Sequence, residues 1–296
     1  ELAKDGVRLE RSIQPAIGYM YFNMDDAVVG GYEPARIALR RAIAMGYNVD
    51  DEIRVLRQGQ GMAATQMIPP GMSGHDPAYN GRLHYDVAAA KALLDKFGYK
   101  DRDGDGYREA PDGKPLVLER WSSPNSLART GDELWKKNMD AIGIRMVFKK
   151  DKMPELRKMA RLGKIPMRND GWNADYPDAE NYMQLLYGPN AGQENQARFK
   201  LPEYDALYDR ARKLPDSPER TALFDKMTEL VLAYAPWRLT EHRFEDQLLQ
   251  PWVGPYVPHP IKGQVWLYTD IDAKAQAKGG ARSAPWCASP WINCRR

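Results

Sequence analysis

The body of this 296-residue chain contains no cysteine. Cys287 and Cys294 are its two cysteines, and both lie within residues 273–296. Residues 1–272 therefore hold neither a disulfide framework nor a metal site built on cysteine. A body without cysteine is compatible with an oxidising compartment but does not require one.

Long apolar runs are also missing. No run approaches the roughly 20 residues that a transmembrane helix needs. The first residues, ELAKDGVRLERS, are too charged to form the apolar region of a secretory signal, so we expect no signal peptide in this chain. Hydrophobic residues make up 43% and charged residues 28%, which is typical of a globular protein. The length is sufficient for a large core.

Positive charge is scarce outside the C-terminal segment. Residues 273–296 carry five basic and no acidic side chains, so the net charge of +3 becomes −2 for residues 1–272. A slightly acidic body argues against nucleic acid or an anionic membrane as a partner. Residues 273–296 show no usable periodicity, and we expect them to be disordered or an extension that is not native.

Sequence motifs of common enzymes are lacking as well. The chain has neither a G-x-S-x-G elbow nor a G-x-x-x-x-G-K-[ST] phosphate loop. GQGMAA (59–64) partly matches G-x-G-x-x-A, but it follows a predicted helix, which argues against a dinucleotide site. No two histidines have H-x-x-x-H spacing, so we expect ordinary surface or core side chains rather than metal ligands at His75, His84, His242 and His259.

Strand patterns alternate with helix patterns along the chain, which predicts an α/β domain. Apolar or alternating runs predict strands at 17–24, 115–121, 144–150, 237–244 and 264–270. Apolar spacing and capping residues predict helices from Pro34 to about Gly46, after Asp86, at 126–142, at 153–162, after Pro202 and after Ser217. Residues 59–81 are rich in Gly, Pro and Met and predict a long surface loop, and residues 164–177 mix strand and loop.

Three arginines lie on the first predicted helix. Arg36 and Arg40 are one turn apart, and Arg41 is adjacent. They could form an anion site, but a solvated helix face is the simpler interpretation.

The stretch KDRDGDGYRE (100–109) resembles the first half of an EF-hand loop. Asp101, Asp103 and Asp105 stand at alternate positions, and a glycine follows them. Loop position 12 is Asp112 instead of Glu, and a strand pattern follows instead of a helix. We interpret the stretch as a turn in which Asp side chains bond the backbone. A calcium-stabilised structural module stays open as an alternative, with these three aspartates as weak calcium candidates.

The segment GWNADYPDAENYMQLLYG (171–188) carries the most functional information. It combines aromatic and polar side chains, namely Trp172, Asn173, Asp175, Tyr176, Asp178, Tyr182 and Tyr187. Aromatic walls with a few polar groups suit a small-molecule pocket, and a carboxylate in such a wall attracts an ammonium group. A buried aromatic cluster with Asp178 capping a helix at 178–187 fits the composition equally well.

A third interpretation of the same segment is enzymatic. Asp175 and Asp178 could serve as the paired carboxylates of a glycoside hydrolase. Carboxylates three residues apart beside a proline more often shape a turn, which argues against catalysis.

Five stretches in order resemble the C-terminal part of the family 5 extracellular solute-binding proteins, the dipeptide- and oligopeptide-binding components of ABC importers. They are YMYFNM, PARIALRRAIAMGYN, YDVAAAKALLDKFGYKDRDGDGYRE, GWNADYPDAENYMQLLYG and ARFKLPEYDALYDRARKLPDSPERTALFDKMTELVLAYAPW. The resemblance as a whole covers roughly residues 15–272. One departure is Asn48, which stands where the family has an aspartate after the Arg-rich helix.

The resemblance implies a fold and a domain organisation. The expected fold is an α/β lobe of the type II periplasmic-binding-protein class, with a mixed β-sheet flanked by helices. Residues 1–262 would form the ligand-binding lobe, 263–272 a return segment, and 273–296 a basic tail. Because family members are longer and have two lobes, we expect a fragment that lacks the first lobe and binds ligand weakly or not at all by itself.

The resemblance also implies a function without catalysis and without a cofactor. The family's receptors are monomers that close on a peptide or another small solute by hinge motion and deliver it to an ABC permease. Their expected location is the periplasm, or the cell exterior with a membrane anchor in a Gram-positive host. Family ligands also include nickel chelates, haem, sugars and antibiotics, so the solute itself stays open.

The resemblance assigns the ligand-binding residues as well. In peptide-binding members the acidic residue of the W-x-x-D-Y segment pairs with the peptide's α-amino group, and this residue corresponds to Asp175. Trp172 would form a wall of the side-chain pocket. Asn173 and Tyr176 are included as their neighbours.

Overall fold

A computed structural model describes residues 2–255, 261 and 269–280. The chain divides into two compact units, one of residues Gln14–Arg243 and one of the residues up to Ile13 together with those from Phe244 onward. The lobe predicted for residues 1–262 therefore extends over both units. The predicted strand at 264–270 lies for the most part outside the described residues, as do residues 281–296. In the described part, no helix is both long enough and apolar enough to cross a membrane.

Strands and helices alternate along much of the chain, as expected for an α/β protein. The strands are β1 (Arg8–Ile13), β2 (Ala16–Phe22), β3 (Gly61–Ala63), β4 (Val117–Ser122), β5 (Arg145–Lys150), β6 (Met167–Asn173), β7 (Trp237–Leu239) and β8 (Glu241–Leu249). The helices are α1 (Pro34–Gly46), α2 (Val49–Leu56), α3 (Val87–Lys96), α4 (Ser126–Ala141), α5 (Met153–Arg161), α6 (Glu180–Met183), α7 (Pro202–Ala211), α8 (Pro218–Tyr234) and α9 (Ala273–Gly280).

One mixed sheet organises the larger unit, with the strand order β5-β4-β6-β2-β7. Strand β4 pairs in parallel with β5 and β6, whereas β2 is antiparallel to β6 and β7. All seven residues of β2 are buried, which matches its continuous apolar sequence. This mixed sheet with helices around it confirms the predicted fold class.

The core of the larger unit lies between the sheet and helices α1 to α4. Trp135 of α4 is fully buried and stacks on Tyr47, with 3.8 Å between the ring centroids. Apolar side chains from both layers surround this pair, including Met20, Leu39, Ile43, Leu94, Leu118 and Met139. The apolar stripes that predicted α1, α3 and α4 are the surfaces that these helices bury.

Capping side chains fix the helix starts. The Asp86 carboxylate accepts a hydrogen bond from Ala89 N at 2.8 Å, and Ser217 Oγ accepts one from Arg220 N at 3.2 Å. Asn48 caps α2 in the same way, through a bond from Asp51 N at 3.1 Å. The residue that departs from the family pattern is thus a competent helix cap, since Asn and Asp are nearly equivalent at this position.

Two predictions about polar and irregular segments were wrong. Residues 59–81 are not simply a surface loop, because Met67 and Ile68 are fully buried and Met72 nearly so. Arg40 is neither solvated nor part of an anion site. It is fully buried, and its guanidinium donates to the carbonyl oxygens of Val29, Gly31 and Tyr234 at 2.7 to 3.0 Å.

The smaller unit contains an antiparallel pair of strands. Strand β1 pairs with β8 from Arg8 opposite Leu249 to Ile13 opposite Phe244. Helix α9 occupies the first eight residues of the segment that we expected to be disordered or not native, so the disorder alternative does not hold for 273–280. Its Ala- and Lys-rich sequence, AKAQAKGG, has a high intrinsic helix propensity until the two glycines.

Candidate functional site

The predicted site lies where strand β6 ends. Trp172 and Asn173 are its last two residues and stand opposite Ile17 and Ala16 of β2. The chain then turns through residues 174–179 into α6. Trp172 is half-buried, whereas Asn173 and Asp175 are exposed, so a central strand delivers these side chains to the surface of the larger unit.

A single buried side chain joins Trp172 to Asp175. Asn181 has no exposed surface, and its Oδ1 accepts hydrogen bonds from Trp172 Nε1 at 2.8 Å and from Asp175 N at 3.0 Å. Its Nδ2 donates to Asp175 Oδ2 at 3.2 Å. The indole and the carboxylate are therefore held in one hydrogen-bonded unit.

Tyr176 is positioned by Glu180, the residue before Asn181. The Tyr176 hydroxyl donates to Glu180 Oε2, and the Tyr208 hydroxyl donates to Oε1. Burial and the bond to Glu180 raise the pKa of Tyr176 to about 12. The phenol is therefore protonated at neutral pH. Tyr176, which follows Asp175 in the sequence, is 41% exposed.

Asp178 has a structural role. Arg220 of α8 donates to both of its carboxylate oxygens, at 2.6 and 2.9 Å, and Asp178 Oδ1 also accepts from Glu180 N at 2.7 Å. With both oxygens engaged, Asp178 cannot act as a proton donor to a glycosidic oxygen without losing this ion pair. The arrangement argues against the hydrolase interpretation of Asp175 and Asp178.

The sequence allowed either a pocket wall or a buried aromatic cluster for this segment, and its aromatic residues differ in which of the two they fit. Tyr182 is fully buried and donates to Pro15 O at 2.9 Å, so it belongs to the core. Tyr187 packs on Tyr208, with ring centroids 4.3 Å apart, and donates to Asp209 at 3.0 Å. Tyr176 is exposed, and Trp172 and Tyr187 are both half-buried, so these three rings reach the surface at least in part.

A cavity of about 260 Å³ lies beside the upstream part of β6. Its charged and amide lining comes from α2 and its C-cap, from β4, from the N-cap of α4 and from β6, and it comprises Glu52, Arg57, Arg120, Asn125, Arg168 and Asn169. Sequence reasoning missed these residues, because charged side chains in short strands give no motif. Burial and the nearby Glu241 raise the pKa of the Glu52 carboxyl well above its usual range.

The acidic turn lies between α3 and β4, as predicted. Asp101 accepts from Gly104 N at 2.8 Å and from Gly106 N at 3.0 Å, which confirms its turn role. Carboxylate oxygens of Asp101, Asp103 and Glu109 lie within 4.8 Å of one another. Asp105 belongs elsewhere, in an ion pair with Arg145 at 2.5 Å. The three calcium candidates are thus not one cluster, because Asp105 pairs with Arg145 whereas Asp101 and Asp103 lie near Glu109.

Comparison with known proteins identifies relatives of this chain. The chain is 28% identical over 264 residues to heme-binding protein A of Haemophilus influenzae, which covers 87% of this chain and 45% of the relative. It is 28% identical to di/tripeptide-binding protein 2 of Pseudomonas aeruginosa, over 79% of this chain and 42% of that protein. The chain thus spans less than half the length of these curated relatives.

Solved structures have the same fold. The oligopeptide-binding protein AppA of Bacillus subtilis, solved with a nonapeptide, superposes with a TM-score of 0.74 at 16% identity, over 86% of this chain and 50% of that protein. The sequence model described as "Bacterial extracellular solute-binding proteins, family 5 Middle" matches residues 2–194. Because this match covers more than half of the chain, the chain belongs to the bacterial extracellular solute-binding proteins of family 5.

Proposed function

We propose that this chain forms the ligand-binding lobe of a receptor that captures a peptide or peptide-like solute. The observation that carries the proposal is the pair of Asp175 and Trp172 at the end of β6. The carboxylate is exposed, yet one of its oxygens is fixed by the buried Asn181, and an indole lies in the same hydrogen-bonded unit.

Asp175 would receive the α-ammonium group of the solute. A charge-assisted hydrogen bond between an ammonium group and a carboxylate is about twice as strong as a neutral one. The half-buried indole of Trp172 lowers the local dielectric and offers a face to a cation or an apolar side chain. Tyr176 would add a second wall, and Asn173 a polar contact beside the carboxylate.

Family membership supports the wider role. The receptor would be a monomer in the periplasm, or outside the cell with an anchor, and would deliver its solute to an ABC permease without catalysis or cofactor. Relatives named for dipeptides, for di- and tripeptides and for heme leave the solute class broader than peptides. A peptide is favoured here because Asp175 is a single exposed carboxylate suited to one ammonium group.

Solute recovery tests this role against the hydrolase alternative. The complete gene product is dialysed to equilibrium against a mixture of di- and tripeptides and, separately, against a panel of oligosaccharides, and mass spectrometry identifies what is retained. We expect one peptide class to be retained and recovered intact. Cleavage of an oligosaccharide that Asp175→Asn and Asp178→Asn both abolish would contradict the proposal.

A further inference from the structure

Asn181 is the second residue of α6 and is completely buried. A buried amide is stable only when its polar atoms find partners, because a buried polar group without a hydrogen bond keeps its full desolvation penalty. Among the described residues, the polar atoms of the Asn181 side chain bond only members of the proposed site: Tyr176 lies close enough to bond it, and its three closest hydrogen bonds are to Trp172 and Asp175. The partner atoms in these three bonds are Trp172 Nε1, Asp175 N and Asp175 Oδ2.

We propose that Asn181 is a positioning residue that makes the Trp172 indole and the Asp175 carboxylate one preformed recognition unit. The proposal rests on the proposed function and extends it to a residue that touches no solute. The unit would select a primary ammonium group that carries an apolar or aromatic substituent next to it. The carboxylate binds the charge, and the indole packs against the substituent.

The geometry of the amide explains why both partners are held at once. Oδ1 accepts two hydrogen bonds, which fixes the indole plane and the backbone of Asp175. Nδ2 fixes Asp175 Oδ2, so the carboxylate cannot rotate freely. Asp175 Oδ1 makes no hydrogen bond to any residue that the structure describes, and it is the oxygen available to a solute. Preorganisation of this kind lowers the entropy lost on binding.

Two substitutions at position 181 separate the two halves of this role. Asn181→Asp keeps an acceptor for Trp172 and for Asp175 N, but it replaces the donor near Asp175 Oδ2 with a second carboxylate. Asn181→Leu removes both functions. Asn195 supplies the matched control, because it is also fully buried and bonds only backbone atoms of Tyr187 and Phe199, outside the proposed unit.

The first measurement needs no ligand and uses this chain as it is. Hydrogen exchange of the Trp172 indole N–H and of the Asp175 amide is followed by NMR in the parent, Asn181→Asp, Asn181→Leu and Asn195→Leu. We expect slow exchange at both sites in the parent, Asn181→Asp and Asn195→Leu, and at least tenfold faster exchange in Asn181→Leu. Equal protection in Asn181→Leu and Asn195→Leu would overturn the positioning role.

The second measurement uses the complete gene product with two probes, dialanine and N-acetyl-dialanine. We expect Asn181→Leu to lower the affinity for dialanine roughly tenfold or more, and the affinity for N-acetyl-dialanine by less, because only dialanine has the ammonium group that the oriented carboxylate binds. An affinity ratio for the two probes that is the same in Asn181→Leu as in Asn195→Leu would contradict the proposal. If the parent itself prefers neither probe, the proposed function fails, and the exchange experiment still decides the role of Asn181.

Discussion

At the scale of single residues, buried polar side chains determine what the surface presents. Asn181 and Arg220 are both buried in the larger unit, and both form hydrogen bonds to the turn at 174–179. Arg220 is 42 residues away from Asp178 in the chain, and its side chain is 9% exposed. The exposed carboxylate of Asp175 thus owes its position to residues that no ligand reaches.

Loss of the Arg220 ion pair should destabilise the fold. Arg220→Ala leaves Asp178 and Asp216 without their shared cation, and breaking a largely buried pair in this way costs about 3 kcal/mol. Arg210→Ala is the control, because Arg210 and its partner Glu219 are both more than half exposed and should contribute under about 1 kcal/mol. Urea unfolding of both variants measures the difference. An equal loss in the free energy of unfolding for both variants would contradict a larger contribution from the buried ion pair.

His242 should make the fold sensitive to acid. Burial lowers the pKa of His242 to about 4, and its Nδ1 donates to Ala16 O at 3.0 Å. The unfolded chain binds a proton near pH 6.5 and the folded chain does not, so the free energy of unfolding falls as the pH drops from 6.5 to 4. The expected loss from this residue is about 3 kcal/mol.

Urea unfolding at several pH values tests this contribution. His242→Gln should flatten the decrease between pH 6.5 and 4 relative to the parent, and His84→Gln, an exposed histidine, should not. A decrease of the same size in the parent and in His242→Gln would contradict the assignment.

At the scale of elements, helices and strands were predicted best where prolines, capping residues or apolar runs mark them in the local sequence. Proline at the start of α1, α7 and α8, and side-chain caps at Asp86 and Ser217, placed the starts of these helices correctly. Strands β2, β4 and β5 followed from apolar runs. Strand β1 was not predicted, because RLERSI is mostly polar and pairs with β8, more than 230 residues away.

The other features that were not predicted depend on contacts between residues that are far apart in the sequence or on the burial of single side chains. Methionine and isoleucine in a Gly/Pro-rich stretch gave no sign that Met67 and Ile68 would be buried. The W-x-x-D-Y segment could be selected from the sequence, and its four site residues remain a prediction. Their supports at Glu180 and Asn181 could not be selected, because a buried amide is recognisable only when its partners are known.

The acidic turn should depend on Asp101 rather than on calcium. Asp101→Ala removes two acceptors of backbone bonds and should lower stability by about 1–2 kcal/mol, whereas Asp103→Ala removes one bond and should cost less. Thermal melts of the parent with EDTA and with excess calcium should coincide. A calcium-dependent increase in the parent that Asp101→Ala abolishes would favour the calcium-stabilised module instead.

At the scale of the whole molecule, the larger unit has its own sheet and core. Residues 14–243 contain all five strands of the mixed sheet and every member of the main hydrophobic cluster. The proposed site also lies within residues 14–243. The chain spans less than half the length of its curated relatives.

The larger unit should therefore fold without the smaller one. A chain of residues 14–243 should show a cooperative thermal transition and keep the slow exchange of the Trp172 indole N–H. Near-UV circular dichroism and NMR check both expectations. A broad, non-cooperative transition would show that residues outside 14–243 are needed for this core.

The central claim is that Asp175 receives a ligand ammonium group, and isothermal titration calorimetry tests it most directly. The complete gene product is titrated with dialanine and with N-acetyl-dialanine, as the parent, as Asp175→Asn and as Glu203→Gln, an exposed carboxylate of α7. We predict that Asp175→Asn loses at least about tenfold in affinity for dialanine only, as removal of a charged partner requires, and that Glu203→Gln matches the parent. An unchanged dialanine affinity in Asp175→Asn would contradict the claim.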